Sequence, residues 1–229
     1  MTGYLGIDFG TSNTVIALWN PDTSEAAPLR IPEYSSMVPG THGEVPVIPS
    51  LIHYAEDQRI WIGQQVLSRG IAESPRTFRW MKRYISHRSP MRIRIHDREI
   101  TPYQAGADFL KTVILSTVNE FEPYGEEVGL SVPVEAFEHY ENWLTSIAEN
   151  AGITRFRLID EPSAAALGYG AHIQPGNIYL IFDFGGGTFH ASVVMIEGED
   201  RHQNGRRCRV LGKAGRDIGG ATIDQWLFQ

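Results

Sequence analysis

"IFDFGGGTFHASVV", residues 181–194, repeats a design already used at "GIDFGTSNTVIALW", residues 6–19. Each stretch runs from an apolar strand into Asp-Phe-Gly, turns through small residues and hydroxyls, and continues as a second apolar strand. A glycine-rich turn between two strands lets backbone N–H groups approach an anion closely, so it can cradle phosphate without a lysine. Thr11, Ser12 and Thr188 add hydroxyl donors. An aspartate ending the preceding strand would repel that phosphate unless a Mg²⁺ ion, keeping several waters, lay between them. Asp8 and Asp183 therefore point to a metal-nucleotide over a bare phosphate. Either turn alone reads equally as a tight glycine-rich hairpin; two copies with the same Asp-Phe-Gly favour function. The chain has no G-x-x-x-x-G-K-S/T and no G-x-G-x-x-G, which excludes Walker and Rossmann sites.

Working outward, "GYLGIDFG" and "TVIALW" flank the first turn as a β-hairpin, and "APLRIP", "VPVIPSLIHY" and "RIWIG" read as short strands bounded by Pro and Gly. From Thr101 the period becomes helical. Thr101 caps, Pro102 suits the first helical position, and Phe109, Leu110, Val113, Ile114, Thr117, Val118 and Phe121 recur on one side. "EVGLSVPV" is a buried strand, followed by a helix with Phe137, Tyr140, Leu144, Ile147 and Ala151 on one stripe, ending at Gly152. A strand "FRLID", an alanine-rich helix after Pro162 ending near Gly168 and Gly170, and the second hairpin at 178–195 complete the pattern. Strands alternating with helices predict an α/β fold with mixed sheets, and the recurring hairpin predicts two related lobes. The boundary is expected at 172/173, with a basic, helix-poor segment at about 32–100 inserted in the first lobe.

The 229 residues, 42% hydrophobic and 10% aromatic, suffice for a sizeable core. A net charge of −7 and a pI near 5.6 argue against nucleic acid and anionic membranes as partners, since both need a basic surface. The single cysteine, Cys208, allows no internal disulfide and no cysteine-based zinc site. With no leader-like segment and no apolar run of about 20 residues, the expected location is the cytoplasm.

"GIDFGTSNTVIAL", "VPVEAFEHYENWLTSIAENAGI", "IDEPSAAALGYG" and "FDFGGGTFHASVV", in this order, resemble the nucleotide-binding domain of the heat-shock-70 chaperones, within the actin-like ATPase superfamily. "IPSLIHY", "WIGQQV", "MKRYIS" and "GRDIGGATID" extend the resemblance over essentially the whole chain. It implies a ribonuclease-H-like fold of two lobes with Mg²⁺-ATP or ADP between them, K⁺ as a further cation, and one phosphate hairpin from each lobe. It assigns Asp8 and Asp183 to the Mg²⁺ shell, mostly through water, and Gly10, Thr11, Ser12 and Asn13 to the first phosphate loop. Gly185, Gly186, Gly187 and Thr188 match the second loop. Lys82 of "MKRYIS" resembles the lysine that reaches the γ-phosphate and attacking water, and Glu161 of "DEPSAAAL" the carboxylate near that water. The resemblance makes Lys82, Glu161, Asp183 and Thr188 the catalytic set, a cation, carboxylates and a hydroxyl being parts that phosphoryl transfer to water requires. Read alone, Lys82 belongs to a solvated basic run, and Glu161 is a helix N-terminal acid favoured by the macrodipole. In the longer protein the resemblance implies unfolded peptides and co-chaperones as partners.

Three departures stand out. His190 occupies a place where the family has an acid near the phosphate cations, which is expected to weaken cation binding and slow hydrolysis; a histidine merely filling space is the equal alternative. Glu141, after the matching Pro133, stands where the family carries a basic residue that couples the lobes to the peptide-binding domain. "GGATIDQWLFQ" reads as a helix start without a stop signal, so the chain is expected to be a fragment with poor ATP affinity of its own. Two other classes stay open. A small-molecule kinase of the superfamily would share both loops, although "IDEPSAAALGYG" favours the chaperone branch. A nucleotide-sensing or filament-forming scaffold with little turnover is kept open by His190 and Glu141.

Overall fold

The computed structural model describes residues 2–40, 43–120, 122–133, 138–168, 174–197, 208–216 and 218–228. The chain divides into two compact units, one of residues 1–130 and 136–158, the other of residues 131–135 and 159–229.

The first unit is built on β1 (Thr2–Phe9) and β2 (Asn13–Asn20), the antiparallel hairpin expected around the first turn, with Asp8 opposite Val15 and Phe9 opposite Thr14. β3 (Glu25–Pro28) pairs with β2, and β4 (Ser36–Gly40) pairs with β5 (Gly43–Pro49), which adds to β2 beside the turn. β6 (Ile52–Tyr54), β7 (Ile60–Ile62) and β8 (Thr77–Phe78) form a small sheet, with α1 (Gln64–Ser68) between β7 and β8. Then come α2 (Met81–Ser86), the hairpin β9 (Ile93–Ile95) and β10 (Arg98–Ile100), α3 (Pro102–Glu120), β11 (Glu122–Val132), α4 (Glu138–Asn150) and β12 (Arg155–Asp160). β11 runs parallel to β1 while β2 runs antiparallel to it, so the large sheet, ordered β12-β11-β1-β2-β5-β4, is mixed as its α/β pattern predicts.

Period-2 burial of Leu5, Ile7 and Phe9 along β1 gives one face to the core and leaves Asp8 exposed. Phe9 meets Phe109 of α3 and Trp143 of α4, with ring centroids 5.9 and 5.8 Å apart. The capping expectation holds at α3: the Gln104 N–H donates to Thr101 Oγ1 (3.3 Å) and the Thr101 N–H to Gln104 Oε1 (2.9 Å), a reciprocal capping box. Phe109, Leu110, Val113, Ile114 and Thr117 are buried as the stripe requires. Val118, expected on the same stripe, is exposed, because Thr117 takes the buried edge of that turn and donates its hydroxyl to the Val113 carbonyl (2.8 Å). Phe121 and Phe137 lie outside the described residues.

Two strand readings are shortened. "APLRIP" stops as a strand at Pro28, since the Ser35 hydroxyl accepts from the Ile31 N–H (2.9 Å) and folds the chain into a turn. "VPVIPSLIHY" is two strands, broken at Ser50 and Leu51, where Ser50 leaves the ladder for the first turn.

The second unit contains α5 (Glu161–Gly168), β13 (Ile178–Phe184), β14 (Phe189–Ile196), β15 (Cys208–Arg216) and α6 (Gly220–Leu227). β13, β14 and β15 form an antiparallel sheet, and Ala166 of α5 packs with Val194, Ile196, Tyr179, Ile181, Cys208 and Val210. β15 carries no strand signal in the sequence: Gly212, Lys213 and Gly215 erase the apolar alternation that would mark it. Among the described residues no helix is long and apolar enough to cross a membrane.

Candidate functional site

The first turn is held through its carbonyls. Ser50, buried at the end of β5, donates its hydroxyl to Gly10 O (2.8 Å) and its N–H to Ser12 O (2.8 Å). Because that hydroxyl has one proton, Thr14, also buried, is the donor in its 3.0 Å bond to Ser50 Oγ. In a trans peptide the C=O and the following N–H point in opposite directions, so fixing the Gly10 carbonyl on Ser50 turns the Thr11 N–H away from it. A Cβ at residue 10 would drive into the Asn13 carbonyl, so the turn requires glycine there. Thr11 is half-buried, and Ser12 and Asn13 are exposed.

The second turn is built by the same logic with a different anchor. Phe184 pairs with Phe189 and Asp183 with His190, and the Gly185 N–H closes the turn onto Thr188 O (2.9 Å). Gly187 is buried and Thr188 half-buried. The opening N–H groups of α6, which have no partner within their own helix, donate to the loop: Gly220 to Gly185 O (3.0 Å) and Ala221 to Gly186 O (2.9 Å). The trans peptides then direct the N–H groups of Gly186 and Gly187 away from α6. Gly219 permits this approach, since a Cβ there would lie 2.5 to 2.7 Å from Gly187 N, Gly186 C and Gly185 O.

Beside this turn the second unit gathers three of the singled-out side chains. Glu161, Asp183 and His190 each present a ligand atom within 4.8 Å of the others. The register sets Asp183 directly across from His190, which puts both side chains on one face of the hairpin. Glu161 arrives as the first residue of α5, one position earlier than a helix begun at Pro162 would have it. Glu161 stands in the first turn of α5, as its reading as a helix N-terminal acid requires, while the cap itself is Asp160, whose Oδ1 accepts the Ser163 N–H (2.9 Å); Glu161 is also grouped with Asp183 and His190. The imidazole lies over Gly215 of β15, where a Cβ would stand 2.6 Å from His190 Cδ2.

Asp8, Gly10, Thr11, Ser12, Asn13 and Lys82 belong to the first unit. Lys82 is buried on α2 with Met81 and Ile85, while two arginines before it are engaged outside: Arg76 with Glu56 (3.2 Å), and Arg79 with Glu73 and the Trp80 ring (4.4 Å). Lysine is among the residues least often buried, so Lys82 parts from the solvated run it belongs to in sequence. Cys208 is half-buried, and burial first, then Asp160 and Glu197, pushes its thiol above the usual range, which fits a packed thiol and not a nucleophile.

Ser50, Gly219 and Gly215 carry roles that the sequence reading did not give them. A lone hydroxyl inside the apolar run "VIPSLI" and paired glycines at a helix start were the available signals.

A protein-family model described as Hsp70 protein matches residues 4–228. The chaperone protein DnaK of Thermotoga petrophila is 30% identical over 231 residues, covering 98% of this chain and 35% of that protein. DnaK of Thermosipho africanus is 30% identical with the same coverage, and the chaperone protein HscA homolog of Neisseria meningitidis serogroup B is 30% identical over 83% of this chain and 32% of its own length. The chain thus spans about a third of the length of these curated relatives.

Proposed function

The chain belongs to the Hsp70 family, as its nucleotide-binding domain, and from that premise we propose that it binds Mg²⁺-ATP and, within the longer protein, hydrolyses it to ADP and phosphate to drive a chaperone cycle on unfolded peptides. The observation that carries this reading is the shared construction of the two Asp-Phe-Gly turns. In each, carbonyls are anchored on a neighbour, by Ser50 in one and by the α6 N-terminus in the other, and peptide N–H groups are turned the opposite way. Such N–H groups, on backbone that glycine keeps bare, suit phosphate oxygens.

In this reading Gly10, Thr11, Ser12 and Asn13 bind one side of the phosphate chain, and Gly185, Gly186, Gly187 and Thr188 the other. The lobes of this reading are residues 1–172 and the chain from 173; they differ from the two compact units at α5, which this boundary leaves with the first lobe although it packs within the second unit. Two of the three donors clustered beside the second turn, Asp183 and Glu161, are carboxylates and fit Mg²⁺; the third, the His190 imidazole, does not suit so hard an ion. Asp8 and Asp183 would hold Mg²⁺ mostly through water, with K⁺ as a second cation. The metal, when bound, neutralises charge on the phosphate oxygens. Lys82 places a cation on the γ-phosphate, and Glu161 orients the attacking water, so the protein's part is positioning and charge stabilisation. Burial of the Lys82 side chain supports this role, since it separates this lysine from the solvated basic run and holds it within the fold.

A product assay tests the proposal. ATP incubated with the protein should yield free inorganic phosphate, whereas phosphate on a small acceptor would make it a kinase. Nucleotide binding without either product would make it a scaffold.

A further inference from the structure

We propose that Glu161, Asp183 and His190 form a site for a divalent transition metal of the Zn²⁺ class, bound directly by the three side chains without nucleotide. A mixed set of one imidazole and two carboxylates selects ions that accept nitrogen as well as oxygen, such as Zn²⁺, Co²⁺ and Mn²⁺, over Mg²⁺, which prefers an all-oxygen shell. Three protein ligands leave an open position, the arrangement of exchangeable sites.

The fold brings these donors together by rigid means. Asp183 and His190 are a directly paired couple of an antiparallel ladder, whose facing Cβ atoms stand about 5 Å apart. Glu161 is fixed at the first turn of α5, whose start Asp160 caps. Their ligand atoms already lie within 4.8 Å of one another. Around an ion with bonds of about 2.1 Å, donors stand about 3 to 4 Å apart, so small rotamer changes at the exposed Asp183 close the set. Gly215 supplies the outer support. With no Cβ it leaves room for the imidazole beside β15, and a methyl group there, 2.6 Å from Cδ2, would press on the ring and displace it from the cluster.

The site lies wholly within the second compact unit and needs no bound ATP. Its absence would leave the ATPase reading standing, and absence of hydrolysis would leave this site standing.

The test titrates chelator-treated, nucleotide-free protein with Co²⁺ followed by visible absorption, and with Zn²⁺ and Mg²⁺ followed by calorimetry. One equivalent of Co²⁺ should develop ligand-field bands, with Zn²⁺ binding at least about 100-fold tighter than Mg²⁺. His190→Ala should weaken Zn²⁺ at least about 10-fold, and His190→Asp, which keeps three ligands, should shrink the Zn²⁺ over Mg²⁺ preference by a similar factor. Gly215→Ala alters no ligand and should cost about 10- to 100-fold, as loss of outer support does at metal sites. Far-UV circular dichroism identifies any variant that fails to fold, and the folded ones decide. Zn²⁺ affinity unchanged in His190→Ala, or an unchanged metal preference in His190→Asp, overturns the proposal.

Discussion

His190 stands where the resemblance leads one to expect an acid, and its environment gives that expected departure a physical form. The imidazole is not loose in a turn: it is paired with Asp183, grouped with Glu161 and backed by Gly215. As a ligand it removes one negative charge from the set that the nucleotide reading uses for cations. Replacing it by aspartate is expected to raise Mg²⁺ affinity and the single-turnover rate of ATP hydrolysis; single-turnover assays across Mg²⁺ concentrations that show no gain contradict this. A second histidine reports on stability instead. The Thr77 hydroxyl donates to Ile71 O (2.7 Å), so in its 2.8 Å bond to His53 Nδ1 the ring is the donor. Burial first, then Arg76, holds the His53 pKa below its ordinary value. The unfolded chain therefore binds the proton more readily, and the stability His53 contributes is intact above pH about 6.5 and lost as pH falls through the lower folded value. Urea midpoints at pH 7.5 and 5.5 should fall further in wild type than in His53→Asn; equal falls would sink the assignment. The place of His190 beside the cation residues was legible from the resemblance and the hairpin, but its grouping with Glu161 and Gly215 was not, nor was the role of His53, because those partners lie far along the chain.

At the scale of elements, the two hairpins, the α3 and α4 helices and the short β12 strand were legible, since each announces itself through period, cap or turn residues. β15 was not. Its glycines and charges carry no alternation, and its pairing with β14 is decided by the partner strand. The anchoring of the turns was likewise hidden, because a sequence displays glycines but not which carbonyls they offer. The second anchor leads to a prediction. Gly219→Ala puts a methyl group onto the backbone of 185–187, so the loop must shift. Nucleotide affinity should fall at least about 10-fold, a loss of ~1.4 kcal/mol, with far-UV circular dichroism unchanged. Affinity equal to wild type, measured by calorimetry, would show that the α6 contact does not shape the phosphate loop. Ser50→Ala tests the first anchor: loss of a buried hydroxyl that serves Gly10 and Thr14 should cost about 1 to 3 kcal/mol in urea unfolding, and less than about 0.5 kcal/mol would remove Ser50 from that role.

At the scale of the whole molecule, the order of motifs gave the family, because four separated stretches had to fall in sequence at compatible spacings. The match over residues 4–228 bears this out. What motif order leaves open is chemistry: Lys82 is one basic residue among several in "RTFRWMKRYISHRS", singled out by the resemblance of "MKRYIS" and, in the structure, by its burial. The most direct measurement is therefore single-turnover hydrolysis of Mg²⁺-ATP by the full-length protein beside its Lys82→Ala variant, with nucleotide affinity measured in parallel. The account predicts release of inorganic phosphate by wild type and a rate about 100-fold lower in the variant, equivalent to ~2.7 kcal/mol of lost transition-state stabilisation, with affinity changed by far less. Equal rates in the two proteins, or no phosphate released by wild type, would contradict it.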